Sequence, residues 1–194
     1  GGLSGVLVEI EDSTITGNIT EGAGAGGGGI EAARRLVLLK SVVSDNFTLG
    51  NDAPGGGILA AVQAIVIDSE ISNDVTTGIN SRGGGLAFGN YGSFPPNLLM
   101  GSTVSGNLTA GDGAAGGGIS FQSLYVLQST VSENATLGDD APGGGAFGAN
   151  PNFGDGLGVF TNATIADNRT SGENAMGGGI YVGDRVEATH VTVT

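Results

Sequence analysis

The sequence predicts an all-β fold in which about seven coils of about 28 residues stack as a parallel β-helix, a type of solenoid. The first observation is an internal repeat, because residues 41–58 and 129–146 are identical at 13 of 18 positions. The second is that apolar residues recur at fixed places in every repeat. The third is a run of three glycines before one strand of each repeat. Internal repeats of roughly 20–50 residues are typical of solenoids.

Each repeat can be numbered from a polar residue, which we call position 0. The position 0 residues are Asn18, Asn46, Asp74, Asn107, Asn134 and Asn168, and Thr194 takes this place in the last repeat. Position −3 is always apolar, as Ile15, Val43, Ile71, Val104, Val131, Ile165 and Val191. Position −8 is also always apolar, as Ile10, Leu38, Val66, Leu99, Val126, Phe160 and Val186. One such residue per repeat predicts stacked parallel strands about 4.8 Å apart, and the β-branched runs favour strands over helices.

Small residues and glycines mark the bends of the repeat. Position −5 is Ser13, Ser41, Ser69, Ser102, Ser129, Ala163 and Thr189, which predicts a small residue inside a bend. Position +4 is glycine in six repeats, as Gly22, Gly50, Gly78, Gly111, Gly138 and Gly172. We expect a positive φ there. Two insertions, 87–96 and 147–156, fall between the strand after the glycine run and the next strand, and such insertions often mark a working face.

Composition limits the classes of partner. The 194 residues are predicted to form one domain, 1–194, which we expect to be a piece of a longer exported protein. A formal net charge of −13 disfavours nucleic acid, because binding phosphates requires clustered Lys and Arg. The chain has no cysteine, and no apolar run is long enough for direct membrane insertion.

The position 0 column predicts an interior ladder in which each amide donates to the next repeat, and each such bond contributes about 1 kcal/mol. Five of its members also begin N-x-T sequons, so glycosylation is the alternative. Asn162 begins a sequon at an outward position. A second column, at position +2, predicts another structural ladder of Thr20, Thr48, Thr76, Thr109, Thr136 and Thr170.

Acidic residues at positions +5 and +6 are predicted to form a solvated turn. They are Asp52, Asp112, Asp139, Asp140 and Glu173. Oxygen ligands on a turn can bind calcium, so a surface calcium site is the alternative, although the calcium-binding repeat G-G-x-G-x-D is absent. We predict no cofactor and no metal centre.

The sequence does not predict an enzyme. The single histidine, His190, is predicted at an outward position of the last repeat, and the carboxylate pair Asp139–Asp140 belongs to a repeated turn. A G-x-G-x-x-G match at residues 22–27 lacks the βαβ context that nucleotide binding requires. A fragment of a polysaccharide lyase or hydrolase is the alternative, since these enzymes share the fold.

The repeats resemble a known class of sequence. G-G-G-[IL] paired with [IV]-x-x-N resembles the G-G-A-I and F-x-x-N repeats of chlamydial polymorphic outer-membrane proteins. It is also similar to the repeats of bacterial exported β-helix proteins with a CSLREA-type leader. The matching segments include Ile15 to Asn18, Val43 to Asn46 and Val104 to Asn107, while Asp74 replaces one asparagine. The resemblance implies a right-handed single-stranded β-helix outside the cell, as an adhesin-like or passenger module.

Outward positions −9 and −7 predict an apolar stripe. Its members are Val37, Leu39, Ile65, Ile67, Leu98, Met100, Tyr125 and Leu127, followed by Val159 beside Thr161. The flanking pairs are Glu9 with Glu11 and Arg185 with Glu187. Such a stripe should be covered. The insertions carry Phe88, Tyr91, Phe94, Phe147 and Phe153, and the alternatives are that they fold over the stripe, that a partner covers it, or that these residues face inward.

These observations together favour a non-catalytic extracellular structural or adhesin-like module at the cell surface. The expected partners are adjoining coils of a parent protein, or copies of the chain associating end to end or laterally, with a glycan as a further alternative. Positions −4 and −2 carry hydroxyls, as in Thr14 with Thr16, Thr103 with Ser105 and Thr130 with Ser132. This pattern leaves an ice- or mineral-binding face as another alternative, although Val42, Glu70 and His190 interrupt it.

Overall fold

The computed structural model describes residues 1–89, 96–148 and 156–194, and in these ranges the chain forms strands and no helix. The first repeats contain β1 (Leu3–Glu11), β2 (Thr14–Thr16), β3 (Ile19–Thr20), β4 (Ile30–Leu39), β5 (Val42–Ser44), β6 (Phe47–Thr48), β7 (Ile58–Ala60), β8 (Gln63–Ile67), β9 (Glu70–Ser72), β10 (Val75–Thr76) and β11 (Leu86–Phe88). The later repeats contain β12 (Asn97–Met100), β13 (Thr103–Ser105), β14 (Leu108–Thr109), β15 (Ile119–Phe121), β16 (Ser123–Leu127), β17 (Thr130–Ser132), β18 (Ala135–Thr136), β19 (Ala146–Gly148), β20 (Leu157–Thr161), β21 (Thr164–Ala166), β22 (Arg169–Thr170), β23 (Ile180–Val182), β24 (Arg185–Thr189) and β25 (Thr192–Val193).

These strands form three sheets, and every strand pair in them is parallel. Sheet A has 12 strands in the order β23-β19-β15-β11-β7-β4-β8-β12-β16-β20-β24, with β1 paired to β4. Sheet B has seven strands, β2-β5-β9-β13-β17-β21-β25, and sheet C has six, β22-β18-β14-β10-β6-β3. Strands of the three sheets alternate along the chain. The prediction of an all-β fold of stacked parallel repeats is therefore confirmed, and the arrangement is compatible with a β-helix-like solenoid.

The core is a set of aliphatic columns that run along the stack. Alternate residues of the strands point inward, so each repeat contributes side chains that pack on their equivalents in the neighbouring repeats. The fully buried members include Ile30, Leu38, Ile58, Val66, Ile71, Leu86, Leu99, Val104, Ile119, Val126, Val131, Phe160 and Ile165. Burying one such side chain contributes about 1.5–3 kcal/mol, so the columns at positions −3 and −8 are a main source of stability.

Left-handed backbone conformations occur at four fixed positions of the repeat. Position −6 has positive φ at Asp12, Lys40, Asp68, Gly101, Gln128, Asn162 and His190. Position −1 does so at Gly17, Asp45, Asn73, Gly106, Glu133 and Asp167, and position +6 at Gly24, Asp52, Asn80, Gly113, Asp140 and Asn174. Position +9 is the first of the three glycines that precede a strand of sheet A. The residue with positive φ there is always glycine, namely Gly27, Gly55, Gly83, Gly116, Gly143 and Gly177. The bends between the sheets lie at these positions.

The expectation of positive φ at position +4 is wrong. None of the six glycines at that position has a positive φ. The reason for glycine is instead the stacking: a Cβ on Gly111 would overlap the backbone carbonyl of Gly78, and one on Gly78 would overlap that of Gly50. Gly50, Gly138 and Gly172 meet the equivalent glycine of their neighbouring repeat in the same way. The stacked backbones therefore leave no room for a side chain at position +4.

The predicted register of the last repeat is also wrong, by two residues. Phe160 pairs with Ala188 and Ile165 pairs with Val193, so Val193 rather than Val191 is at position −3. His190 is at the bend position −6, with φ 53°. The apolar residues Val186 and Val191 fit the repeat pattern in either register, since an even shift preserves the inward and outward alternation of a strand. Hydrogen bonding to the preceding repeat selects between them.

Substituting the position +4 glycine tests the stacking explanation. Gly111→Ala is expected to lower the free energy of unfolding by about 1–3 kcal/mol, because the added Cβ overpacks against the Gly78 carbonyl. Gly24→Asn is the matched control, since Gly24 has φ 71° with open space at its Cβ position, and Asn80 occupies the same repeat position. Urea unfolding followed by circular dichroism measures both variants. Wild-type stability of Gly111→Ala would contradict the close approach.

Candidate functional site

The position 0 residues form a chain of hydrogen bonds along the stack. Asn107 donates to Asn134 Oδ1 from its Nδ2 (2.9 Å) and from its backbone N–H (3.0 Å). Asn134 makes the same two bonds to Asn168 (2.9 and 3.0 Å). Asn18 makes them to Asn46, each at 3.0 Å. Because the Nδ2 atom that would carry a glycan is a donor within the stack, this geometry favours the ladder over glycosylation at these sequons.

The ladder has one irregular member, Asp74. Asn46 donates to Asp74 Oδ1 from its backbone N–H (2.8 Å) and from its Nδ2 (2.9 Å), and the Asp74 N–H donates to Asn107 Oδ1 (2.9 Å). The side chain is fully buried. Burial raises the pKa of Asp74 to about 8, against the lowering effect of the bonds from Asn46.

The left-handed bends explain why a polar side chain is needed at position 0. In regular parallel pairing the N–H of position 0 would bond to the carbonyl of position −1 in the next repeat. Position −1 has left-handed backbone, so that carbonyl is directed elsewhere, and the Oδ1 of Asn46 accepts the Asn18 N–H instead. Regular pairing resumes one residue later, where the Phe47 N–H donates to the Asn18 carbonyl (2.8 Å).

A second ladder, at position −5, has the same origin, and the sequence reasoning missed it. The N–H of Ser41 donates to Ser69 Oγ (3.1 Å), that of Ser69 to Ser102 Oγ (3.0 Å), and that of Ser102 to Ser129 Oγ (3.1 Å). Position −5 follows the left-handed residue at −6, as position 0 follows the one at −1. The signal for this ladder in the sequence is the column of five serines, whose hydroxyls can accept as well as fit inside a bend.

The threonines at position +2 do not form a ladder between repeats, so the prediction of a structural ladder at this position is wrong. The buried hydroxyls of Thr48, Thr76, Thr109 and Thr136 each donate to the carbonyl five residues later in the same repeat. For Thr109 the acceptor is the Ala114 carbonyl, at 2.6 Å. Each of these four threonines therefore closes the turn that follows it in its own repeat.

Two of the acidic turn residues, Asp112 and Asp139, accept hydrogen bonds from the neighbouring repeat. Asp112 Oδ1 accepts the N–H of Asp139 (3.1 Å), and Asp139 Oδ1 accepts the N–H of Glu173 (2.8 Å). Asp52 and Asp140 are exposed residues with left-handed backbone, at φ 54° and 53°. Within residues 1–89, 96–148 and 156–194, no group of three or more His, Asp or Glu side chains is arranged to hold a metal ion.

The apolar stripe lies on the outward face of sheet A. Its two rows are in register: Val37, Ile65, Leu98, Tyr125 and Val159 pair in sequence, as do Leu39, Ile67, Met100, Leu127 and Thr161. Tyr125 is 36 % exposed and the other members are half-buried, while their strand neighbours Leu38, Val66, Leu99 and Val126 are fully buried. Glu9 and Glu11 border the stripe at one end. At the other end the register places Glu187 and Thr189, not the expected Arg185 and Glu187.

The aromatic residues assigned to the insertions are not grouped on this stripe where the structure describes them. Phe88 is 5 % exposed and belongs to the hydrophobic core, because β11 continues through it and alternation turns it inward. Phe147 is 6 % exposed, stacks on Tyr181 at 5.7 Å between ring centroids, and lies 5.4 Å from the Arg82 guanidinium. The other three aromatics, Tyr91, Phe94 and Phe153, lie outside the described residues.

An inward asparagine, Asn97, is a further residue that the sequence reasoning missed. It is fully buried, its Oδ1 accepts the Ala64 N–H (2.8 Å), and its Nδ2 donates to the Ser123 carbonyl (3.0 Å). Asn97 begins the strand that follows the first insertion. Its side chain therefore supplies hydrogen bonds across sheet A where the insertion interrupts regular pairing.

The outward side of sheet B carries two rows that consist mostly of hydroxyl residues, although Ser72 is only 5 % exposed and donates to Glu70 Oε1. Position −4 is Thr14, Val42, Glu70, Thr103, Thr130, Thr164 and Thr192, paired in sequence. Position −2 is Thr16, Ser44, Ser72, Ser105, Ser132 and Ala166, and Thr194 follows Val193 in the same alternation. The corrected register removes His190 from these rows, moves Thr192 from position −2 to position −4, and places Thr194 at position −2. We call these two rows the hydroxyl array.

Comparison of the chain with protein-family models, with curated proteins and with solved structures gives no match. In the described ranges no helix is both long enough and apolar enough to cross a membrane.

Removing one ladder amide tests the position 0 geometry. Asn107→Ala is expected to cost about 1–3 kcal/mol of unfolding free energy, because the buried N–H of Asp74 loses its acceptor and the Ile71 carbonyl loses the Nδ2 donor. Asn162→Gly, at an exposed sequon whose left-handed backbone (φ 51°) Gly101 also adopts at the same repeat position, is the control and should change stability little. Thermal unfolding measures both. Expression in a glycosylating host adds a second readout, and a glycan found on Asn107 would refute the interior placement.

Proposed function

We propose that this chain is a right-handed single-stranded parallel β-helix that serves as a non-catalytic extracellular structural or adhesin-like module. The observation that carries the proposal is the apolar stripe, which continues in register over five repeats on the outward face of sheet A. The extracellular location follows from the resemblance of the G-G-G-[IL] and [IV]-x-x-N repeats to those of exported β-helix proteins.

The handedness follows from a general rule of parallel sheets. Each repeat leaves sheet A, passes through sheets B and C, and returns to sheet A parallel to its own start. Parallel crossovers of this kind are right-handed in about 98 % of cases.

The stripe is suited to binding another protein surface. Two adjacent rows of apolar side chains over five repeats give several hundred Å², which is the size of patch that marks interaction sites on soluble proteins. The rows lie on hydrogen-bonded strands, so little conformational freedom is lost when a partner binds. Lateral association of two such faces, or of the face with a flanking segment of a parent protein, would bury the apolar surface. A glycan stacking on the exposed Tyr125 ring is the alternative partner.

Charge substitutions in the stripe test this role. Ile65→Asp combined with Leu127→Asp should leave the protein folded, because both side chains point outward beside the buried Val66 and Val126, and should abolish association. Leu49→Asp with Leu137→Asp is the matched control, since each leucine is 42 % exposed outside the stripe. Light scattering at increasing concentration measures association, and circular dichroism measures folding.

Three outcomes of this experiment would count against the proposal. Global unfolding of the stripe variant would show that the stripe residues support the core. A wild-type chain that stays monomeric at high concentration and binds no glycan would remove the binding role. Loss of association in the control pair alone would move the interface to the turns beside sheet C.

The hydroxyl array supports a second candidate function, an ice- or mineral-binding face. The corrected register of the last repeat favours it, because Thr192 extends the row at position −4 where His190 had been expected. Stacked strands place equivalent hydroxyls about 4.8 Å apart along the stack and about 6.6 Å apart along the strand, which is a regular two-dimensional spacing. Val42, Glu70 and Ala166 interrupt it.

Blocking the array tests this second function. If it operates, the wild-type chain should inhibit ice recrystallisation, and Thr103→Tyr with Thr130→Tyr should abolish that inhibition by breaking the spacing. Thr77→Tyr, at an exposed turn position, is the control and should keep it. Absence of thermal hysteresis and of recrystallisation inhibition in the wild type would exclude ice as the ligand.

A further inference from the structure

Asp74 is the one position 0 residue that lacks an amide, and the other repeats show what that amide does. In the four asparagines that have a described position −3 carbonyl in the preceding repeat, Nδ2 reaches back to that carbonyl. The bonds run from Asn46 to Ile15 (3.2 Å), Asn107 to Ile71 (3.1 Å), Asn134 to Val104 (3.0 Å) and Asn168 to Val131 (2.8 Å). Nδ2 of Asn46, Asn107 and Asn134 also donates to Oδ1 of the next repeat.

In Asp74 an oxygen, Oδ2, takes the place of this double donor. The side chain is fully buried, and Oδ2 has no hydrogen-bond partner in the structure. Asp74 Oδ1 already accepts both bonds from Asn46. By equivalence with Nδ2 of Asn107 and Asn134, Oδ2 faces the position −3 carbonyl of the preceding repeat, Val43, and the position 0 Oδ1 of the next repeat, Asn107, which are both acceptors. An ionised carboxylate would therefore oppose two acceptors without a donor between them, an unfavourable arrangement inside a protein.

The surroundings of Oδ2 do not suit a metal ion, since no group of three or more His, Asp or Glu side chains in the described ranges is arranged to hold one. A Cβ on Gly57 would overlap Asp74 Oδ2, so the carboxyl lies directly against the glycine backbone. A calcium ion would require six to eight oxygen ligands at about 2.3–2.6 Å. A proton on Oδ2 needs no such ligands and supplies the missing donor.

We infer that Asp74 is a protonated carboxylic acid in the folded protein, with its Oδ2–H donating to the Val43 carbonyl or to Asn107 Oδ1. The third repeat thus contains a buried proton that completes the ladder. Its loss leaves a charged, unpaired oxygen in the interior, so the fold weakens at this repeat as the pH rises from about 4 to about 8. The stability of the repeat stack at Asp74 therefore depends on pH.

The net effect of the groups around Asp74 is to raise its pKa. Burial is the main cause that raises its pKa, from the ordinary 3.8 to about 8, and the negative charge of the exposed Asp45 in the adjacent repeat adds to it. The two bonds from Asn46 lower the pKa and only partly offset burial. Asn107 and Gly57, which also contact the carboxyl group or its residue, carry no charge.

The direction of the pH dependence follows from these pKa values. Between about pH 4 and about pH 8 the folded state holds a proton that the unfolded chain has released, so unfolding releases one proton. The folding equilibrium constant should then fall about tenfold per pH unit through this range. Below it both states are protonated and the contribution is complete. Above about pH 8 both states are ionised, and no further loss is expected.

Urea unfolding of the whole chain from about pH 5 to about pH 10 tests this inference. Asp74→Asn restores the ladder amide and removes the titration, so its advantage over the wild type should grow with pH up to about pH 8 and then level off. Asp45→Asn is the matched control: Asp45 is exposed with φ 56°, a conformation that Asn73 also adopts at the same repeat position. Its stability should run nearly parallel to that of the wild type.

A second measurement does not depend on reversible unfolding. The infrared spectrum of the folded wild type near neutral pH should contain the carbonyl band of a protonated carboxylic acid, and Asp74→Asn should lack it. Parallel stability curves for the wild type and Asp74→Asn across the pH range would overturn the inference. So would an infrared spectrum without the acid band, or a wild type that gains stability relative to Asp74→Asn as pH rises.

Discussion

Stacking one bend directly on another is the constraint on which this structure depends. In the strands, parallel pairing satisfies each backbone group from the neighbouring repeat, but a left-handed residue at a bend directs its carbonyl away from the next N–H. The protein solves this with a side-chain oxygen one residue after the bend. Asparagine does so at position 0, as in Asn107, and serine does so at position −5, as in Ser69. Each such bond contributes only about 1 kcal/mol, but a buried N–H left without it would cost about 1–3 kcal/mol.

The same stacking fixes where the chain can vary. At position +4 successive backbones approach so closely that only a hydrogen fits in place of a side chain, as Gly111 against Gly78 shows. At position +9 the backbone is left-handed and the Cβ site is also occupied, as at Gly55. The turn between sheet C and sheet A therefore has constant length in every repeat. The strands that flank both insertions, β11 with β12 and β19 with β20, belong to sheet A, and after the first insertion Asn97 supplies side-chain hydrogen bonds across this sheet.

Because stacking determines the interior, the outward rows are where the chain can vary its surface chemistry, and our functional proposals rest on them. Sheet A presents an apolar stripe with Tyr125 as its most exposed member, and sheet B presents the hydroxyl array. The rows of both surfaces are in register, so the same side-chain type recurs at equivalent places along the stack. The exception to the regular interior is Asp74, whose burial without an amide connects the stability of the third repeat to pH.

The amino-acid sequence alone determined the period, the strands and the inward and outward parity of each position, because these depend on which residue types recur at a fixed spacing. It also indicated the position 0 column, since an asparagine repeated among apolar residues must pair with its own copies. Only the tertiary structure decided the role of Gly111, whose neighbour is a glycine one repeat away and not a local φ angle. It alone placed His190 at a bend, because a shift of two residues preserves the apolar pattern and only pairing with the preceding repeat distinguishes the two registers. Phe88 was misplaced for a related reason: the length of a strand before an insertion depends on the repeats that pair with it, which a local pattern does not contain.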